Sequence, residues 1–279
     1  MRRMAHPLRG PLAAALLIGF ALPAAAQIQN KSTVEQIDVG NSAIVNQTLT
    51  GVTHNISDIK QDRDGGAAGN TASVTQINSG LPTGMGTGGG GAGSGNTSKI
   101  DQKGSDHSAT VTQNASGYGD NGNDNNPPPW GSNILQRGIN QTATVDQTAI
   151  NKGDNRSLIE QRGANNTASV TQVANTTVTS GGDNVSTIDQ KATSSNAQAT
   201  INQTSDGNTD NTSLIEQSGG TSNIAGVTQS GSGSTVNESD VFQTGASNNA
   251  SVTQSGVSLS NTSTVTQSGN NNGATVVQN

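Results

Sequence analysis

After residue 26 the chain has two histidines, His54 and His107, no cysteine and many serines. None of these is spaced for catalysis. There is no zinc-type His/Cys spacing, no phosphate-binding loop ending in Lys-Ser/Thr, and no serine with a base nearby. The Asp/Asn string at 120–126 lacks the twelve-residue calcium pattern with its terminal Glu. Enzyme, metal and cofactor roles are therefore not expected. The chemistry available to Asn, Gln, Ser and Thr is hydrogen bonding, and what singles these residues out is their spacing.

One seven-residue pattern recurs, Asn-x-Ser/Ala-x-Val/Ile-x-Gln, and it comes in pairs. The first arm carries Ser and the second usually Ala. Examples are NKSTVEQ (30–36) with NSAIVNQ (41–47), NRSLIEQ (155–161) with NTASVTQ (166–172), NESDVFQ (237–243) with NNASVTQ (248–254), and NTSTVTQ (261–267) with NGATVVQ (272–278). Nine pairs are present, with first-arm serines Ser32, Ser57, Ser98, Ser132, Ser157, Ser186, Ser213, Ser239 and Ser263. In six pairs the two glutamines lie eleven residues apart. In the others, Gln61/Gln76, Gln190/Gln203 and Gln217/Gln229, the extra residues fall between the arms. Insertions that leave both arms in phase mark the arms as structural elements and the gaps as turns.

The period within an arm is two, so its four recurring residues share one face of an extended strand. A helix would scatter them. The segments between arms (KGSD, RGAN, TGAS) supply Gly and Asn for a sharp reversal. Two strands and an arc make one coil, which buries too little apolar surface to offset its own ordering entropy. Stacking supplies the rest, each strand pairing with its equivalent one coil away at about 4.8 Å. The expected fold is all-β, a two-strand-per-coil solenoid of nine repeats with irregular loops. Its inward ladder is Asn30, Ser32, Val34 and Gln36 with Asn41, Ala43, Val45 and Gln47, then Gln161 with Asn166, Ala168, Val170 and Gln172. It continues with Gln243, Asn248, Ala250, Val252 and Gln254, then Gln267, Asn272, Ala274, Val276 and Gln278. Inward amides are expected to sit above their counterparts and bond along the axis, which satisfies them where they are buried.

Composition agrees with this reading. Only 29% of residues are hydrophobic, against about 45–50% in ordinary globular domains, and charge is also low, at 11%. The first residues read as an export signal. Arg2, Arg3 and Arg9 precede a short apolar run (12–22), and Ala24-Ala25-Ala26 offers a cleavage site before Gln27. Without those arginines, ten basic residues face nineteen acidic ones, a net charge of −9, with no basic patch for nucleic acid. The mature repeat domain would span 27–279.

The motif Ser-x3-Gln-x4-Asn-x-Ala-x-Val-x-Gln, well represented by SLIEQRGANNTASVTQ (157–172) and SDVFQTGASNNASVTQ (239–254), resembles the curlin repeat of bacterial curli subunits. The resemblance implies a functional amyloid: a secreted, extracellular fibre subunit at the surface of a Gram-negative bacterium, serving adhesion and biofilm matrix. The implied partners are further copies of itself, a nucleating minor subunit, an outer-membrane secretion channel, and host or abiotic surfaces. This chain departs from the family in having more repeats, uneven gaps and few aromatics. His107, Gln141 and Ala197 also replace the second-arm Asn in the third, fourth and sixth pairs.

Two connections interrupt the array, a glycine-rich one (80–95) and one containing three consecutive prolines (117–130). They read as loops that leave the stack, or as a contact site anchored by Tyr118 and Trp130. Glu160, Asp189 and Glu216 occupy the outward position before the first-arm Gln, and stacking would place them in one column as gatekeepers against early fibre growth. The last pair has no charge and no proline, so it reads as a growth end. The alternative function is a monomeric secreted β-solenoid adhesin. Ice binding needs a flat outward Thr array, and the outward positions here vary between Thr, Ser, Asp, Glu and Lys, which argues against it.

Overall fold

The computed structural model describes residues 29–49, 54–63, 68–80, 95–117, 131–150, 153–175, 182–257 and 260–279. The signal-like segment 1–26, the interiors of both connections (81–94 and 118–130), Tyr118, Trp130 and the 120–126 string lie outside them.

Every described arm is a strand. First arms form β1 (Gln29–Ile37), β3 (His54–Asp62), β5 (Gly95–Ser105), β7 (Ser132–Ile139), β9 (Asp154–Ala164), β11 (Asp183–Gln190), β13 (Asp210–Ser218), β15 (Val236–Thr244) and β17 (Asn261–Ser268). Second arms form β2 (Ser42–Leu49), β4 (Thr71–Gly80), β6 (Ser108–Gly117), β8 (Thr142–Ile150), β10 (Thr167–Asn175), β12 (Gln198–Gly207), β14 (Ile224–Gly233), β16 (Asn249–Val257) and β18 (Gly273–Gln278). The odd strands make one nine-stranded parallel sheet in chain order and the even strands make another. The fold is a two-strand-per-coil β-solenoid.

Register is kept throughout. Ser157 pairs with Ser132 and Ser186, Ile159 with Ile134 and Ile188, and Gln161 with Gln136 and Gln190. In the even sheet Ala168, Val170 and Gln172 lie between the same residue types of β8 and β12, apart from Ile201 opposite Val170. Inserted residues between arms leave this register untouched, because a one-residue slip would turn every inward side chain to water. The inward faces meet in a single core, with Ile59, Ile100, Ile134, Ile159, Ile188 and Ile215 from one sheet and Ala and Val from the other, all buried. Val170, Val227 and Val252 are at most 1% exposed. The first rung is open on one side, so Val34 keeps its inward direction but is 38% exposed.

Glycine governs the arcs. Gly104, Gly138, Gly163, Gly245 and Gly269 all have positive φ, and the residue before the second arm (Asp106, Asn140, Asn165, Ser247, Asn271) does too. A Cβ on Gly138 would sit 2.1 Å from the Gly163 carbonyl oxygen of the next coil. The arcs therefore stack as closely as the strands do. Gly138→Ala should lose about 1–2 kcal/mol from the left-handed backbone, and more from the displaced arc. Gly226→Ala adds a Cβ that meets nothing within 4 Å and should be neutral or slightly stabilising. Thermal unfolding of the two variants side by side checks both.

Candidate functional site: the polarised amide ladders and open edges

Each strand brings its glutamine to the same height in the coil. In the odd sheet Nε2 of Gln36 donates to Oε1 of Gln61 at 2.8 Å, and Gln61 donates in turn to Gln102. The chain of donors runs on through Gln136, Gln161, Gln190, Gln217 and Gln243 to Gln267. The even sheet repeats this from Gln47 through Gln172 to Gln278. Both rows point the same way, with the N–H toward the C-terminal coil. Beyond Gln36, the second N–H of these amides crosses the core to a backbone carbonyl of the opposite sheet, as in Gln161 to Thr142 (3.1 Å) and Gln172 to Arg156 (2.9 Å). One side chain thus ties adjacent coils together and ties the two sheets together.

First-arm asparagines form a third row of opposite sense. Nδ2 of Asn184, Asn211, Asn237 and Asn261 donates back to Oδ1 of the preceding coil at 2.9–3.0 Å. The two faces of any coil are therefore complementary, not alike. The face toward the C-terminus offers Gln donors and an Asn acceptor, and the face toward the N-terminus offers the converse. Among the described residues, no strand pairs with the outer edges of β1, β2, β17 or β18.

Second-arm asparagines differ from the expectation that all inward amides bond mainly to their counterparts. Oδ1 of Asn41, Asn70, Asn166, Asn223 and Asn248 accepts the backbone N–H of the equivalent residue one coil on. Nδ2 of Asn166 and Asn248 donates to the carbonyl four residues earlier, Arg162 and Thr244. These residues pin the arcs, and Asn272 adds an amide–amide bond to Asn248. Gln141 keeps the donor half of this role, while its Oε1 is buried without a partner. Nε2 of Gln141 reaches the Arg137 carbonyl at 2.9 Å and the Gly163 carbonyl at 3.3 Å. Ala197 has no amide, and Ser194 in its lengthened arc accepts from Asn166 instead.

His107 fits least well. Its Nε2 lies 3.1 Å from the Lys103 carbonyl, while Nδ1 is buried without a partner. Burial depresses its pKa, against the Lys103 carbonyl and nearby Asp106, which favour the charged ring. His107→Asn restores the arc-pinning amide and should raise stability by about 1 kcal/mol, read as a higher thermal midpoint.

Glu160, Asp189 and Glu216 do occupy one column in register. The next outward column, two residues on, is basic, and the sequence reading did not weigh it. Arg162 pairs with Glu160, and Lys191 pairs with Glu216. Asp189 lies between them with its pKa raised by burial first and then by Glu160, while Arg162 and Lys191 pull it down. The basic column thus opposes the repulsion within this acid column, and the Asp189 pKa is still raised on balance.

A second acid stack went unnoticed. Asp154, Asp183 and Asp210 begin three successive odd strands, and Asp183 N–H donates to Asp210 Oδ1 at 3.2 Å. Burial, then Asp183, raises the Asp154 pKa to about 7, against the pull of Arg156. Asp183 is raised by burial and then by Asp210. The signal was legible: Asp-Asn-x-Ser recurs at 154, 183 and 210 in the same phase. No group of three or more His, Cys, Asp or Glu among the described residues is placed to hold a metal ion.

The outward residues also sort by sheet. The nine even strands contain two charged residues, Asp146 and Asp206, whereas every odd strand before β17 contains at least one. The mixed outward surface expected from the sequence is two different surfaces, one charged and one of hydroxyls. No protein-family model matches the chain, and no curated protein matches it.

Proposed function

We propose that this chain is a structural subunit that polymerises end to end, each copy continuing the coil stack of the last, into an extracellular curli-like fibre serving adhesion and biofilm matrix. The observation that carries this reading is the shared direction of the two Gln rows with the opposed Asn row. The leading face of the last coil fits the trailing face of the first, because Gln267, Gln278 and Asn261 repeat the ladder positions of Gln36, Gln47 and Asn30. Such a contact is heterologous and does not close, so it builds a filament. Head-to-head contact would set Gln donor against Gln donor. Val34, Val45 and Val276 on the outer rungs are only partly covered, and adding a coil would bury them.

Incubating the purified chain from Gln27 onward, with thioflavin fluorescence and fibre diffraction, tests the proposal. The expected result is fibres with a meridional spacing of about 4.8 Å. Stable monomers of high β content that never elongate would overturn it and favour the adhesin alternative.

A further inference from the structure

The even-strand sheet presents an outward face that the core and the stacking do not use. Its columns read Ser73, Thr110, Thr144, Ser169 and Thr200 at one position, and Thr75, Thr112, Asp146, Thr171, Asn202, Thr228 and Thr253 two residues on. Exposed aliphatics are scattered among them, Ile44, Ile77, Ile224 and Val277. Charge is confined to Asp146 and to Asp206 at a strand end.

We propose that this face is a pairing surface, and that two stacks associate side by side by packing their Ser/Thr faces together. Three observations argue for a second copy as the occupant. The first is period. A rigid face repeating at every rung engages all its rungs at once only with a surface of the same repeat, which another copy has by construction. The second is area. Nine rungs at about 4.8 Å and strands of about eight residues at about 3.3 Å give a face of about 43 by 26 Å. A pair would bury about 2,200 Å², above the roughly 1,200–2,000 Å² of a standard stable interface. The third is charge. Like faces of a chain with net charge −6 would repel across the odd sheet, where Glu, Asp, Lys and Arg lie, and the even face offers a nearly neutral contact. Short hydroxyl side chains on an in-register parallel sheet also allow close interdigitation of the kind seen between paired sheets. The inference concerns the sides of the stack, whereas the fibre proposal concerns its ends.

The test compares the purified chain with Thr112→Lys/Thr171→Lys/Thr228→Lys on the even face and with Asn133→Lys/Thr187→Lys/Thr264→Lys on the odd face, which changes charge equally. Sedimentation velocity of freshly prepared soluble protein should show a concentration-dependent dimer for the parent and the odd-face variant. Its dissociation constant should rise at least tenfold in the even-face variant, and filaments of that variant should be one stack wide where the parent's are two. Equal dimerisation of both variants, or a parent that stays monomeric with single-stack filaments, would overturn the pairing. So would a monomeric parent retained on an insoluble neutral polysaccharide through these threonines. If the even-face variant loses its β circular dichroism, single nitroxide labels decide the matter in a chain with no cysteine of its own. Labels at Thr171→Cys should couple across a gap of roughly 10–20 Å, and labels at Thr187→Cys should not. Dimers without elongation would sink the fibre proposal alone, and single-stack fibres would sink the pairing alone.

Discussion

Replacing Gln172 by leucine is expected to cost about 3–6 kcal/mol, although the side chains are similar in size and the position lies in a core. Gln172 donates to Gln203 Oε1 at 2.8 Å, to the carbonyls of Arg156 and Asn184, and to Ser186 Oγ, and it accepts from Gln147 at 2.7 Å. Leucine leaves the Gln147 donor and the Gln203 acceptor buried without partners at that contact, at about 1–3 kcal/mol each, and the facing carbonyls lose a donor as well. A buried row of amides is stable only when it is complete. The same change at Gln278, which has a coil on one side only, severs one axial bond and should cost about 1–2 kcal/mol. The outward neighbour Thr171→Val should stay within about 0.5 kcal/mol. Urea unfolding of the three variants reads the differences, and hydrogen exchange should show the Gln172→Leu loss centred on β8, β10 and β12. Equal losses at Gln172 and Gln278 would show that the ladder does not act as a continuous row.

The second large effect is a pH dependence set by Asp154 and Asp183. Both Asp154 and Asp183 have folded-state pKa values above the usual carboxylate range, Asp154 at about 7. The folded chain therefore holds protons that the unfolded chain has released. The stability that depends on these groups is whole below about pH 4 and falls as pH rises toward about 7, above which it is flat. For Asp154 alone the displacement from 3.8 to about 7 corresponds to a loss on the order of 4 kcal/mol, at about 1.4 kcal/mol per pH unit. The charged neighbours facing the stack are these acids themselves, with Arg156 from β9 opposing them. Asp154→Asn/Asp183→Asn/Asp210→Asn should flatten the decline and be more stable than the parent at pH 7, with little difference at pH 4. Thermal midpoints across that range check it, and a triple variant that loses as much stability between pH 4 and pH 7 as the parent would place the dependence elsewhere.

Much of the architecture was legible because the repeat is strict. A period of two over Asn30, Ser32, Val34 and Gln36 fixes which side chains face inward, and insertions confined to the gaps locate the arcs. Gly138 and Gly163 could be read as turn residues from their place between arms. Their close axial packing could not, because it depends on the height of one arc above another. The sense of the amide rows was hidden for a related reason. The sequence puts Gln161 above Gln136 but does not say which end of the amide faces which. The double role of Asn166 was hidden too, since an arc must be closed before the Arg162 carbonyl comes within reach of its amide. The charge pattern was visible in principle. Sorting outward residues by arm places Glu160, Arg162, Asp189 and Lys191 on the odd-strand side and leaves the even sheet almost without charge, whereas pooling the arms blurs them into one surface. The Asp154 stack was missed because a residue just before the recurring Asn seemed to belong to the connection.

The parallel, rung-by-rung course of the chain also has a mechanical consequence. Because β1 and β18 belong to opposite ends of the stack, tension applied to the two ends of a single subunit would pull first on the terminal rung at each end, which has a neighbour on one side among the described residues. Coils would then peel away one after another, each releasing about 25 residues, or roughly 85 Å of extended chain. In a filament built by stacking, the junction between subunits has the same kind of pairing as two rungs within one but no covalent chain across it, so an axial load would part the filament at those junctions.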